Sequence, residues 1–318
     1  MKITVIGCGR WGTFIAYYLN SIGCDVTLYG RAGSEHMQQL AATRKNEYMT
    51  LPESLKLQTD LKSALDTDTV VISVNSQGLR SLLGEIAVCS DIPRRYILCM
   101  KGIESSSCML LSEITKENTA PGSGVACWLG PGHVEEFLRG TPNCMVIDSD
   151  DTALKHELAD AFSSQLIRFY YGTDLLGNEI GAASKNVIGI AAGMLDGLGR
   201  SALKGALMAR GTREISRLIG AMGGDAKSAY GLCHLGDYEA TVFSPYSHNR
   251  RFGEAFVRGE EYSQLAEGYY TVLAMVKLAD KYGSELPICR AVYDILYNKA
   301  EPQKRLDEMF CRSIKNEF

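Results

Sequence analysis

The feature that most constrains this chain is a glycine pattern set between a strand and a helix. Ile3–Ile6 is an apolar run of strand length, Gly7-Cys8-Gly9-Arg10-Trp11-Gly12 follows, and Ile15, Tyr18, Leu19 and Ile22 then recur at helical spacing. Strand, G-x-G-x-x-G and helix in that order bring a pyrophosphate up to the unsatisfied N–H groups of a helix N-terminus. The hexapeptide alone is compatible with a turn that needs glycine only for packing. Its flanks favour a dinucleotide site with Gly7, Gly9, Arg10, Trp11 and Gly12 against the cofactor.

A second strand, Asp25–Tyr29, ends in Gly30-Arg31. A carboxylate there would hold the ribose 2′-hydroxyl of NAD, whereas an arginine meets the 2′-phosphate of NADP with two hydrogen bonds. Arg31 therefore favours NADP over NAD, and a plain surface charge is the alternative. Apolar runs at Thr69–Val74, Tyr96–Met100, Val125–Leu129 and Met145–Ile147 alternate with helical patterns at Leu79–Ala87 and Ser107–Thr115. Strands apolar on both faces and separated by helices indicate a doubly wound parallel sheet. Such sheets bind ligands at the carboxyl ends of their strands. Asn75-Ser76, Lys101-Gly102 and Gly130-Pro131-Gly132-His133 are the loops in that position, each also readable as an ordinary solvated turn.

With 318 residues, two domains are expected, 1–170 for the dinucleotide and 171–318 for substrate. Strand patterns stop near Thr173 and helical periodicity takes over. The second half reads as a helix over Gly177–Met194, another over Ser201–Met222, a loop-rich segment Gly231–Arg251, and helices over Leu265–Tyr282 and Pro287–Asn298, with a charged surface tail Glu301–Phe318. The first of these helices is the unusual one. Asn178, Ala182, Lys185, Gly189 and Ala192 share a face, so its one lysine sits in a stripe of small residues on an otherwise apolar helix. Either Lys185 snorkels to water at a cleft edge, or the small residues let substrate approach while a desolvated Lys185 exchanges a proton.

A net charge of −4 with acids and bases interspersed gives no extended basic face, which argues against nucleic acid as a partner. No apolar run reaches membrane-spanning length, and Met1-Lys2-Ile3-Thr4-Val5-Ile6 runs into the glycine loop without the regions of a signal peptide, so a cytoplasmic protein is expected. The ten cysteines are scattered and never form Cys-x-x-Cys, which reads as thiols rather than disulfides or a zinc site. A homodimer is an expectation for the assembly, although nothing in the sequence fixes it.

Taken together, Gly-x-Gly-x-Trp-Gly-Thr at 7–13, Lys101-Gly102-Ile103-Glu104, Lys185-Asn186-Val187, Ala209-Arg210-Gly211, Leu235-Gly236-Asp237, Ser247-x-Asn249-Arg250-x-Phe252-Gly253 and Glu267-Gly268 resemble the NAD(P)-dependent glycerol-3-phosphate dehydrogenase family along essentially the whole chain. The resemblance implies an N-terminal Rossmann domain and an all-helical C-terminal substrate domain. It implies reversible reduction of dihydroxyacetone phosphate, a small phosphorylated triose, to sn-glycerol 3-phosphate for glycerophospholipid synthesis. By position, Lys185 matches the proton acceptor, Lys101 touches cofactor and substrate, and Asp237 completes the catalytic set. Lys101, Gly130, Lys185, Asn186, Asp237, Thr241, Ser247, His248 and Asn249 fall at substrate positions, and Trp11, Arg31, Tyr48, Lys101, Val134, His248 and Glu267 at cofactor positions.

Two departures bear on phosphate recognition. Gly130-Pro131-Gly132-His133-Val134 replaces the family's Gly-Pro-Ser-x-Ala and lacks its hydroxyl. His248 replaces an arginine, so a single pH-dependent donor stands where a bidentate fork is usual, with Arg250 or His133 as candidate compensation. For Lys185 to exchange a proton near neutrality its pKa must fall well below about 10.4, and a tight pairing with Asp237 would oppose that fall. A reductase of a ketopantoate-like keto acid on the same plan, and a non-catalytic NADPH-binding regulator, are the rival readings.

Overall fold

The computed structural model describes residues 1–311, 313, 314, 316 and 317. The first part alternates strand and helix: β1 (Lys2–Ile6), α1 (Arg10–Ser21), β2 (Asp25–Tyr29), α2 (Glu35–Thr43), β3 (Lys56–Gln58), α3 (Leu61–Ala64), β4 (Thr69–Ile72), α4 (Leu79–Cys89), β5 (Arg95–Leu98), α5 (Leu111–Glu117), β6 (Gly124–Leu129), α6 (Val134–Leu138), β7 (Asn143–Asp148), α7 (Thr152–Phe162) and β8 (Ile167–Tyr171). The strands form one sheet in the order β3-β2-β1-β4-β5-β6-β7-β8. The six strands β1 to β6 run parallel to one another, with Ile3 opposite Val26 on one side and Thr69 on the other.

The doubly wound parallel sheet expected from the sequence has one antiparallel seam. β7 runs antiparallel to β6, and β8 is parallel to β7. Two strands were also unforeseen. β3 is a three-residue edge strand of Lys-Leu-Gln, and β8 has only Ile167 and Phe169 buried, so neither shows the continuous apolar run of a central strand. The core on this side centres on Trp128, which is fully buried, donates Nε1–H to Met145 Sδ at 3.1 Å and meets Phe169 edge-on at 4.9 Å.

The second part is helical: α8 (Leu175–Gly197), α9 (Lys204–Ala221), α10 (His248–Arg258), α11 (Glu267–Tyr282), α12 (Pro287–Tyr297) and α13 (Pro302–Phe310). The loop-rich segment is shorter than expected, because α10 begins at its end with Ser247 as N-cap. α13 occupies part of the tail. Arg312, Lys315 and Phe318 of that tail lie outside the described residues. The chain divides into a unit of residues 1–102 and 109–179 and a unit of residues 103–108 and 180–318. The short 103–108 segment joins the second unit, where Lys277 Nζ donates to Ser105 O at 2.9 Å.

Within the second unit, buried Glu214 of α9 accepts the N–H groups of Ile288 and Cys289 at 2.8 and 3.0 Å, capping the start of α12, and burial pushes its carboxyl up to about 7. Among the described residues no helix is long and apolar enough to cross a membrane, and no group of three His, Cys, Asp or Glu could hold a metal ion. Five cysteines are buried and Cys311 is exposed.

Candidate active site

In the first unit the glycine loop is shaped by close backbone approach. Gly7 has φ +117°, in the left-handed region, and a Cβ on it would lie 2.1 Å from Ser73 O at the end of β4. Gly9 is different. It is the extended N-cap of α1, and nothing lies within 4 Å of where its Cβ would be. Open space thus fronts the first-turn N–H groups of α1, which have no intrahelical acceptor. These residues fit a dinucleotide pyrophosphate.

Around that loop, Trp11 packs on Phe14 and Phe137 at 5.4 and 6.2 Å. Arg10 pairs with Glu135 and lies over the Tyr48 ring at 5.3 Å, and Tyr48 is pushed up to about 12, chiefly by desolvation and then by a hydrogen bond with Glu47. Val134 is 2% exposed, so its side chain belongs to the sheet core. Arg31, just beyond β2, pairs with Glu85 of α4 at 2.6 Å. Lys101 donates from Nζ to Gly130 O at 2.7 Å, which joins two of the strand-end loops.

In the second unit, Lys185 lies midway along α8 and is 7% exposed. Its Nζ donates to Thr241 Oγ1 at 2.7 Å and pairs with Asp237 Oδ2 at 2.7 Å, and Asp237 is 1% exposed. Thr241 Oγ1 in turn donates to the Asp237 carbonyl at 2.7 Å, an i to i+4 bond across the short helical turns at Leu235–Asp237 and Glu239–Phe243. The lysine is therefore oriented by two groups on one compact turn.

The stripe of small residues meets protein at Gly189: an added Cβ there would lie 2.7 Å from Thr241 Cγ2 and 3.3 Å from Asn249 Cβ. At Gly193 it would lie 1.8 Å from Arg250 O. Small side chains on α8 thus let α10 and the Asp237–Thr241 turn come close to Lys185.

Asn249 Nδ2 donates to Asn186 Oδ1 at 3.1 Å, and Asn249 Oδ1 accepts Gly268 N–H at 2.9 Å, next to Glu267 in the first turn of α11. Ser247 caps α10 by accepting Arg250 N–H at 3.3 Å. His248 Nδ1 is 2.8 Å from Tyr262 Oη. Arg250 is turned to Asp196 Oδ2 at 2.5 Å and to Ser244 O at 3.2 Å, so its guanidinium serves the α8–α10 contact.

Several residues of these sites escaped the sequence reading. Glu85, Glu135, Tyr262 and Asp196 act as long-range partners, and no local pattern announces such pairings. His234 is fully buried beneath the pair: Nδ1–H donates to Gly181 O at 2.8 Å and Nε2 accepts from Tyr238 Oη at 2.6 Å. Burial lowers its pKa to about 4, so the ring is neutral in this tautomer.

Residues 2–155 match the sequence profile of the NAD-dependent glycerol-3-phosphate dehydrogenase N-terminus, and residues 174–307 that of its C-terminus. A glycerol-3-phosphate dehydrogenase [NAD(P)+] of Salinibacter ruber is 34% identical over 99% of this chain and 97% of that protein. The crystal structure of a glycerol-3-phosphate dehydrogenase from Coxiella burnetii superposes with a TM-score of 0.90 at 29% identity, covering 98% of this chain and 99% of that one. A ketopantoate reductase from Ralstonia eutropha gives 0.63 at 16% identity over 96% of this chain and 100% of that one, a likeness of fold alone.

Proposed function

The chain belongs to the NAD-dependent glycerol-3-phosphate dehydrogenase family, oxidoreductases acting on a CH–OH group with a nicotinamide cofactor and a phosphorylated triose, and from that premise we propose how its residues divide the work. The reaction is the reversible reduction of dihydroxyacetone phosphate to sn-glycerol 3-phosphate, which supplies glycerophospholipid synthesis. Residues 1–170 carry the dinucleotide and residues 171–318 the substrate. Bound NAD(P)H supplies the hydride.

Lys185 gives the proton to the carbonyl oxygen as negative charge develops there, and in the reverse direction takes it from the hydroxyl. Asp237 and Thr241 hold Nζ in one orientation. Asn186 and Asn249, bonded to each other, order the polar wall beside it. Ser247, His248 and Asn249 stand at the start of α10, where helix N–H groups and dipole favour an anion, so they receive the substrate phosphate. Arg250 is engaged with Asp196 and does not replace the arginine expected at 248.

On the cofactor side, Gly7, Gly9, Arg10, Trp11 and Gly12 receive the pyrophosphate, Tyr48, Glu267 and the backbone at Val134 support the nucleotide, and Lys101, held on the Gly130 carbonyl, neutralises charge at the strand ends. Arg31 favours the 2′-phosphate of NADP.

The observation that carries this reading is the buried Lys185–Asp237 pair at 2.7 Å. The test is the rate of NADPH and NADH oxidation with dihydroxyacetone phosphate and, separately, with ketopantoate. Turnover of the triose phosphate that disappears in Lys185→Met is expected. Turnover of the keto acid alone would overturn the substrate assignment.

A further inference from the structure

The carboxyl end of β2 lacks an acid in sequence, yet the fold supplies one. Glu85, on the second turn of α4 and 54 positions along the chain, places Oε1 2.6 Å from Arg31 Nη2. The loop that carries Arg31 is short and tied down. Gly30 N–H donates to Gln58 O at 3.2 Å, Ser34 N–H donates to Arg31 O at 2.9 Å, and Gln38 Nε2 donates to Ala32 O at 3.0 Å. The next residue, Ala32, adds no second cation. Asp60, also near this strand end, accepts Ser63 N–H as the cap of α3. Beyond β2 the Arg31 guanidinium thus faces the Glu85 carboxylate, 66% and 41% exposed, a pair that water and ligands reach readily.

We propose that Glu85 is a cofactor-specificity residue: its carboxylate competes with the 2′-phosphate of NADP(H) for Arg31 and offers an acceptor to the ribose 2′-hydroxyl of NAD(H). The inference rests on the reading of Arg31 as a cofactor residue and deepens it. A 2′-phosphate must displace Glu85 from Arg31 and then tolerate a carboxylate close by, which offsets part of the attraction. A 2′-hydroxyl has the opposite preference, because it donates to the carboxylate and leaves the ion pair whole. The neutral pair thus makes a dual-use site, where a lone arginine would select for phosphate.

The test measures equilibrium binding through the fluorescence of NADPH and NADH, with 2′,5′-ADP and 5′-ADP as competitors, for the wild-type chain, Glu85→Gln and Arg31→Gln. The wild type is expected to bind the two reduced cofactors within about tenfold of each other. Glu85→Gln tightens NADPH and 2′,5′-ADP by about three- to fivefold, the scale of an exposed ion pair, and weakens NADH. Arg31→Gln weakens NADPH about tenfold, as loss of a charge-assisted contact does, and spares NADH. If Glu85→Gln leaves the NADPH/NADH ratio unchanged while both nucleotides bind, the role of Glu85 is overturned and the cofactor reading stands. A wild-type chain that binds neither nucleotide overturns both.

Discussion

Gly189 and Thr241 stand so close that a methyl group on the glycine would lie 2.7 Å from the threonine's Cγ2. The hydroxyl of that same threonine holds Lys185 Nζ. Backbone approach on α8 and aim of the lysine are thus one geometric fact.

Gly189→Ala is accordingly expected to disturb the chemistry more than a one-carbon change would suggest. Thr241 is 2% exposed and β-branched, so it yields by moving its whole turn. Overpacking of this kind costs about 1–3 kcal/mol, read as a lowered Tm. A kcat at least about tenfold lower is expected, on the scale of misplaced catalytic groups. An unchanged kcat would detach the glycine stripe from the site.

Removing one member of the Lys185–Asp237 pair leaves the other charge buried. Lys185→Met and Asp237→Asn each should cost about 3–5 kcal/mol. The double variant should regain much of that loss, since neither charge remains, while turnover stays abolished in all three. Urea denaturation beside steady-state rates separates the two effects. Nucleotide binding, measured by fluorescence, should persist in Lys185→Met.

His234 gives the stability a pH dependence. Its folded pKa is lowered to about 4 from an ordinary 6.5, so between those values the unfolded chain binds a proton that the folded chain refuses. Stability falls as pH drops through this window and is unaffected by this group above 6.5. At about 1.4 kcal/mol per pH unit, the loss approaches about 3 kcal/mol near pH 4. His234→Gln should flatten this part of the curve, as seen in urea midpoints collected between pH 7 and pH 4.5.

His248→Arg should strengthen binding of the triose phosphate. A guanidinium offers phosphate a bidentate fork, where an imidazole offers a single donor. KM for dihydroxyacetone phosphate is expected to fall about tenfold, the scale of one charge-assisted hydrogen bond. An unchanged KM would remove His248 from the phosphate.

The alternation of β1, glycine loop and α1 was legible because punctuation and periodicity there are local properties. So was α8, which is long and apolar. α10 was half hidden, because its polar run His248-Asn249-Arg250-Arg251 resembles a loop until α8 is present to cover Gly253. β3 and β8 are edge strands without a continuous apolar signature, and the reversal of β7 is a property of strand pairing that no single strand encodes. At the site, Lys185 and Asp237 could be nominated separately. Their contact, 52 positions apart in sequence, and that of Arg31 with Glu85 arise only once the chain is folded.

The glycine-bearing face of α8 has a mechanical corollary. Helices usually find their position along one another by seating ridges in grooves, and glycines on both sides, Gly193 against Arg250 O and Gly253 against Ile190 O, let the two backbones meet directly. Two polar anchors, Asn249 on Asn186 near one end of the contact and Arg250 on Asp196 further along, fix the register of that contact. The placing of the Ser247–Asn249 corner depends on it.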